Sequence, residues 1–395
     1  MKFYLISLVF LLSLGQLQRI QVANNIAFYL HDLLIVGFLL KELLAGNLQI
    51  KKIIENVKKI KKSRNLIRDF FVSPILLIFR PLEIKIFQKK IIFLFLISIF
   101  FSWMLAFLEG RFDFRAILYL VRLITYIYFV FILQKKIENK NWPWRLISFN
   151  ILLLGFIQYF FLPDLRFLIY EGYDDHFYRL TSTILDPAFT GLIFVFNLNY
   201  YLWQKKKNYL LIVLFLIGLL LTYSRASYLA FLLSSSLIFL FDKQNSKKII
   251  LLIVCCFCLA LPFLPNKSGG DGVNLLRTIS TQKRINNDQE ILQDMSRTQW
   301  LFGQGLLIPA KNRKISESIP SHSHFADNLF VFLISNLGIV GSTILLILLL
   351  KFVINHNKNK QNILLTSLLI HAMFNNNLTQ SFVVLLFLGF YLSKD

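Results

Sequence analysis

Charge is scarce in this chain, and negative charge is scarcer still. Charged residues make up 16% of its 395 residues, with 21 Asp and Glu against 43 Lys and Arg. An average soluble domain carries roughly a quarter, so an ordinary water-exposed surface is excluded. The three cysteines, Cys255, Cys256 and Cys258, fall within one apolar run, IILLIVCCFCLALPFL. That spacing supplies neither a disulfide framework nor a zinc site, and they read as small core or lipid-facing residues. No small-x-small cleavage site follows the hydrophobic start MKFYLISLVFLLSLGQLQ, so this stretch reads as a retained first helix.

What is present in quantity is apolar. Hydrophobic residues account for 56% of the chain and Phe alone for 41 positions. Runs of about 18 apolar residues recur, each long enough for a ~30 Å hydrocarbon core. The fold class is therefore an all-α polytopic membrane protein. About twelve spans are expected, at 3–18, 26–45, 91–108, 114–133, 146–162, 187–203, 209–223, 226–241, 248–264, 328–350, 362–375 and 378–392. The segment FFVSPILLIF at 70–79 is too short to cross and reads as buried or interfacial.

The net charge of +22 suggests nucleic acid until its position is considered. Lys and Arg lie in short loops: Lys51 to Arg68, Lys135/Lys136/Lys140, Lys205–Lys207, Lys243/Lys247/Lys248 and Lys358/Lys360. With both termini inside, the twelve-span assignment puts all of these loops on one side, as the positive-inside rule requires. The charge sets topology, and no nucleic-acid partner is expected.

This organisation divides the chain into three regions. Residues 1–264 form an N-terminal bundle of about nine spans, with a cytoplasmic basic segment at 46–90 and an exterior loop at 163–186. Residues 265–327 form a large periplasmic loop, and 328–395 the C-terminal transmembrane helices. In the large loop Ile291, Leu292 and Met295 recur at helical spacing, predicting an amphipathic helix that ends at Gly303 and Gly305.

Polar side chains near the membrane are few, so each is a candidate. Arg122 lies mid-span in LYLVRLITYIYFVF; it either lines a functional cavity or forms an ion pair with another helix. Arg225, in LLTYSRASYLAF, sits between two apolar runs among small and hydroxyl residues that favour close helix approach. Asp186-Pro187 reads as a helix cap followed by the first helical residue, with Arg179 shortly before it. Arg297 lies in the large loop. His322, His324, Asp327 and Asn328 gather where that loop re-enters the membrane. His324 and Asp327, three residues apart, are either a cap with a solvated neighbour or a base oriented by a carboxylate.

Taken in order, RLTSTILDPAFTG, LTYSRASYLAF, SRTQWLFGQG and HSHFADNLFVFLISNLGIVG resemble the O-antigen polymerase/ligase superfamily, which holds Wzy-type polysaccharide polymerases and WaaL-type ligases. The resemblance implies a GT-C-like glycosyltransferase of the bacterial inner membrane with its active site facing the periplasm. It implies no cofactor, no nucleotide sugar and no metal. The partners would be an undecaprenyl-pyrophosphate-linked glycan donor and acceptor, membrane lipid, and a chain-length regulator protein. By the same resemblance Arg225, His324 and Asp327 would be catalytic, and Arg297 and Arg179 would bind substrate; Arg122, singled out by its mid-span charge alone, would support them in binding it. Arginine suits this role because its planar fork holds phosphate oxygens bidentately and stays charged.

The Asp327-Asn328 pair, eleven residues before Gly338, occupies the place where ligases usually show His-Asn, while many polymerases carry an acidic residue there. The expected activity is thus repeat-unit polymerisation, with ligation to lipid A-core as the alternative and His324 or Asp327 as the base. A flippase for lipid-linked oligosaccharides would generally lack a large exterior loop with such a cluster. Polyprenyl-phosphate-dependent glycosyltransferases would be expected to carry an acidic pair in the first exterior loop, whereas QRIQVANN has no carboxylate. Nothing like paired broken helices supports a small-solute transporter.

Overall fold

A computed structural model describes residues 2–23, 26–45, 86–138, 140–171, 173–241, 247–265, 273–309, 325–355 and 359–393. His322, His324, the 70–79 segment and the basic stretch from Lys51 to Arg68 lie outside the described residues. The fold is mostly α, as the apolar runs require. Among the described residues, four helices are long and apolar enough to cross a membrane: Lys90–Leu108, Phe114–Lys136, Trp142–Phe161 and Leu329–Lys351.

In chain order the helices are α1 (Lys2–Ser13), α2 (Leu30–Leu44), α3 (Ile86–Leu108), α4 (Phe114–Lys136), α5 (Trp142–Phe161), α6 (Pro187–Trp203) and α7 (Tyr209–Leu221). They continue with α8 (Arg225–Phe241), α9 (Lys247–Ala260), α10 (Ile279–Gln293), α11 (Arg297–Phe302), α12 (Leu329–Asn355), α13 (Asn359–Ala372) and α14 (Ser381–Leu392). Helix α6 is the central post. Every residue from Pro187 to Leu202 is buried, and it packs against α5, α7, α8, α13 and α14. A second group joins α3, α10 and α12 through Ile99, Ile291, Leu306, Leu329, Phe332 and Leu337. The cysteines of α9 are exposed, which selects the lipid-facing option.

Two sequence expectations change. The first span does not run to residue 18, because α1 stops at Ser13 and a 3-10 turn follows at Gly15–Gln18. An antiparallel hairpin then pairs β1 (Arg19–Ala23) with β2 (Ile26–Tyr29), in register Arg19 to Tyr29 and Ile20 to Phe28. The class is therefore mostly α rather than all-α. Helix α2 begins only at Leu30, where Asp32 accepts from the Tyr29 backbone N–H at 3.0 Å.

The second change is in the large loop, where the expected single helix is two. A capping box divides them: Gln299 N–H donates to Ser296 Oγ at 3.3 Å, and Ser296 N–H donates to Gln299 Oε1 at 2.9 Å. The break sets α11 against α3 and α12.

The two ends of the bundle differ chemically. At one end Arg145 and Lys360 both lie over the Tyr200 ring, at 5.2 and 5.1 Å from its centroid. Lys207 donates to Leu202 O and Gln204 O nearby. The hairpin, the 163–186 segment, α10 and α11 gather at the other end.

Candidate active site

The RLTST segment is fixed from below by its own hydroxyls. Thr181, Ser182 and Thr183 are all buried. Ser182 Oγ donates to Ile151 O at 2.5 Å and Thr183 Oγ1 to Ser13 O at 2.8 Å, while Thr190 Oγ1 donates to Thr181 O at 2.6 Å. From α5, Gln158 accepts the Thr181 and Ser182 N–H groups and donates to Arg179 O at 3.2 Å. These bonds hold Arg179, half-buried, so that its Nε donates to Thr222 O at 3.2 Å. Asp186 caps α6 as the sequence indicated, accepting from Ala188 N–H at 2.7 Å and Phe189 N–H at 3.0 Å.

Arg225 starts α8 beside it. Ser227 Oγ donates to Ala188 O at 2.9 Å, tying α8 closely to α6. The Arg225 guanidinium donates to Arg277 O at 2.9 Å, Leu275 O at 3.3 Å and Thr281 Oγ1 at 2.6 Å. The membrane-rim arginine is thereby clamped to the large loop. Arg277 is buried and donates back to Tyr223 O at 3.2 Å.

One face of α10 completes the group. Arg284 donates to Phe374 O and Asn375 Oδ1, both at 2.9 Å, and its Nε lies 3.7 Å from Asp327 Oδ1. Asn287 donates to Asp327 Oδ2 at 2.8 Å. Asp288 accepts the backbone N–H groups of Asp327 at 2.8 Å and Asn328 at 3.3 Å. Asn328 in turn caps α12 through Phe330 N–H at 2.8 Å. Arg284, Asn287, Asp288 and Ile291 stand at i, i+3, i+4 and i+7, the spacing of one helical face.

Four arginines, 179, 225, 277 and 284, thus crowd one polar rim. Burial, then the nearby Arg277, pulls the Arg179 guanidinium well below its ordinary value, with Asp186 opposing and Arg284 adding to the effect. Burial and then Arg284 lower Arg225 in the same direction. The cluster is short of negative charge, and an incoming anion would relieve it. Burial pushes Asp288 up to about 6, the neighbouring Asp327 carboxylate adding to the rise against the backbone N–H bonds and Arg284. His176 is buried beside Arg179 with neither ring nitrogen hydrogen-bonded among the described residues. Burial, then Arg179, lowers its pKa to about 4, leaving a neutral imidazole. No three His, Cys, Asp or Glu side chains among the described residues are grouped to hold a metal.

Of the expected site residues, Arg179, Arg225 and Asp327 come together in this region. Arg122 does not join them: it takes the ion-pair option, 3.1 Å from Asp32 of α2. Arg297 does not join them either. It is exposed on the first turn of α11 and shares no hydrogen bond or ion pair with the cluster among the described residues. Arg277, Arg284, Asp288 and His176 were not anticipated. The i, i+3, i+4, i+7 pattern on α10 was the available signal for two of them.

Residues 210–346, from α7 into α12, match the protein-family model described as O-antigen ligase. That stretch contains Arg225, Arg277, Arg284, Arg297 and Asp327 and leaves Arg122 and Arg179 outside it. No curated protein matches the chain.

Proposed function

We propose that the chain, whose residues 210–346 match the O-antigen ligase family model and support membership of the O-antigen polymerase/ligase superfamily, is a repeat-unit polymerase for a bacterial surface polysaccharide. It moves a growing glycan from undecaprenyl pyrophosphate onto the next lipid-linked repeat unit at the periplasmic rim of the inner membrane. The remaining apolar helices cross as well, giving about twelve spans in a GT-C-like arrangement. A chain-length regulator is the protein partner this reading expects.

The observation that carries the reading is the cluster of four arginines with too little negative charge around it. In the transfer, the acceptor hydroxyl oxygen attacks the anomeric carbon. The bond from that carbon to the pyrophosphate oxygen breaks, and its electron pair leaves with the diphosphate. Arg225 and Arg284 face this growing charge, backed by Arg179 and Arg277. In a partly water-excluded site one such donor contributes roughly 3 kcal/mol. Asp327, oriented by Asn287 and Arg284, takes the hydroxyl proton; His324, outside the described residues, is the alternative base. Arg122 and Arg297 remain supporting cations at this end of the bundle.

Replacing Arg225 with Ala is expected to lower transfer on the order of 100-fold and to collapse the glycan ladder. The ladder is scored in cells beside an immunoblot of the membrane fraction. Normal ladders at normal protein levels would overturn the assignment. The description of the matching family favours ligation as the second reading. Deleting the gene separates the two: a lost polymerase leaves one repeat unit on its acceptor, whereas a lost ligase leaves none.

A further inference from the structure

The turn between α13 and α14, at 373–377, lies beyond the family-matched residues, yet it holds several members of the polar rim. Met373 O accepts from Asn328 Nδ2 at 2.9 Å, and Phe374 O and Asn375 Oδ1 accept from Arg284. Asn376 Nδ2 donates to Ala326 O at 3.4 Å. The residues on either side of Asp327, and the arginine beside it, are therefore anchored on this turn.

One residue closes the turn at both ends. His371, in the last turn of α13, is fully buried. Its backbone O accepts from the Phe374 and Asn375 N–H groups, both at 3.0 Å, and its Nδ1 meets the Asn377 amide at 2.9 Å. Its other ring nitrogen, Nε2, lies 3.0 Å from Ala188 O in the first turn of α6. A carbonyl only accepts, so Nε2 carries an N–H. The same Ala188 O accepts from Ser227 of α8, two residues beyond Arg225, and the Ala188 N–H is capped by Asp186. The imidazole thus reaches from the helix starts beside Arg179 and Arg225 to the turn that carries Arg284 and Asn328. Packing alone would be served by an apolar side chain, because a buried polar ring costs free energy unless its bonds are made. With α13 read as a span, an ionisable side chain within it marks function by default.

We propose that His371 is a positioning residue for the glycan transfer, setting where Arg284 and the Asp327-Asn328 pair stand relative to Arg179 and Arg225. It touches neither the sugar nor the diphosphate and acts through the 373–377 turn. This rests on the functional reading for one point, that Arg284 and Asp327 work on the reacting atoms together with Arg225. Loss of the imidazole leaves Ala188 O with its Ser227 partner, so α6 keeps its bond to α8 while the turn comes free. A displacement of about 1 Å at a reacting group can cost on the order of 100-fold in rate.

The test uses the full chain twice, in membrane vesicles from its own cells, which supply the lipid-linked repeat unit, and purified in phosphatidylcholine nanodiscs. In vesicles, His371→Leu is expected to slow ladder growth per immunoblotted protein on the order of tenfold. Arg284→Lys slows it as well, and the two together should fall no further than Arg284→Lys alone, because both act through one group. Losses that multiply would overturn the proposal, since a general loss of stability compounds any other defect. In nanodiscs, His371→Leu should raise backbone amide exchange in 326–331 and 372–377 and leave 190–200 protected. Unchanged exchange in 372–377 would sink the proposal whatever the rate. Asn377→Ala keeps the bond to Ala188 and should reproduce both effects even where the leucine variant fails to fold. Normal exchange and normal ladders in that variant would also overturn it. The exchange measurement needs no substrate, which separates this inference from the functional reading: normal ladders in Arg225→Ala defeat that reading and leave the exchange result standing.

Discussion

Asp288 and Asp327 both lie within reach of Arg284, yet they are held in different ways. Asp327 accepts from side chains, whereas Asp288 accepts two backbone N–H groups, and burial lifts it to about 6. An unfolded aspartate titrates near 3.9, so between roughly pH 4 and 6 the folded state binds more protons than the unfolded one. Asp288 therefore adds stability as the pH falls through 6, and that contribution is lost as the pH rises. Activity should move in the opposite direction, because the ionised Asp288 is what holds the Asp327 backbone in place. Initial rates in proteoliposomes are expected to fall below about pH 6 while the thermal midpoint in detergent rises. Asp288→Asn should flatten both profiles, and an unchanged acid limb would assign it to another group. The sequence exposed Asp327 because it stands beside an apolar run. Asp288 was hidden in a polar stretch, where only a fixed helical register shows which side chains face inward.

At the scale of elements, the Gly-x-Gly turn and the break in α12 are one device. Gly303 has φ +85° and Gly338 φ +68°, the left-handed region that side chains avoid. Their backbones interlock: a Cβ on Gly338 would lie 2.3 Å from Leu301 O, and one on Gly303 2.2 Å from Asn336 O. The contact is sealed by Gln304 N–H donating to Ser335 O at 2.7 Å and Leu307 N–H to Asn336 Oδ1 at 2.8 Å. It ties the large loop to α12, the helix that begins at the candidate site. Gly110 has the same φ of +68° and open space around it, so Gly110→Ala isolates the backbone strain of roughly 1–2 kcal/mol. Gly338→Ala should destabilise clearly more than that in a thermal melt; equal losses would mean the interlock contributes nothing. Continuous apolar runs made α4, α5 and α6 legible within a few residues. The hairpin was not, because IAFY runs on into an apolar helix and was absorbed into the second span, while IQVA was read as part of the exterior turn before it.

For the whole molecule, the two ends use different cations. The end around Tyr200 uses Lys207 and Lys360 with Arg145, while the other end uses arginines 19, 115, 122, 179, 225, 277 and 284. Lysine is a strongly hydrated point charge, suited to a loop facing water, and arginine is the residue for bidentate contacts at partly buried sites. On the proposed reading the positive-inside rule keeps the lysine end in the cytoplasm, which would direct the arginine end to the opposite side. That sidedness is open to a direct test in a background with Cys255, Cys256 and Cys258 changed to Ser. Thr298→Cys, at the exposed start of α11, should react with a membrane-impermeant maleimide in intact spheroplasts. Lys206→Cys, at the lysine end, should react only after permeabilisation. The reverse pattern would invert the topology and remove the periplasmic site, since a cytoplasmic arginine cluster could not meet a glycan already carried across the membrane.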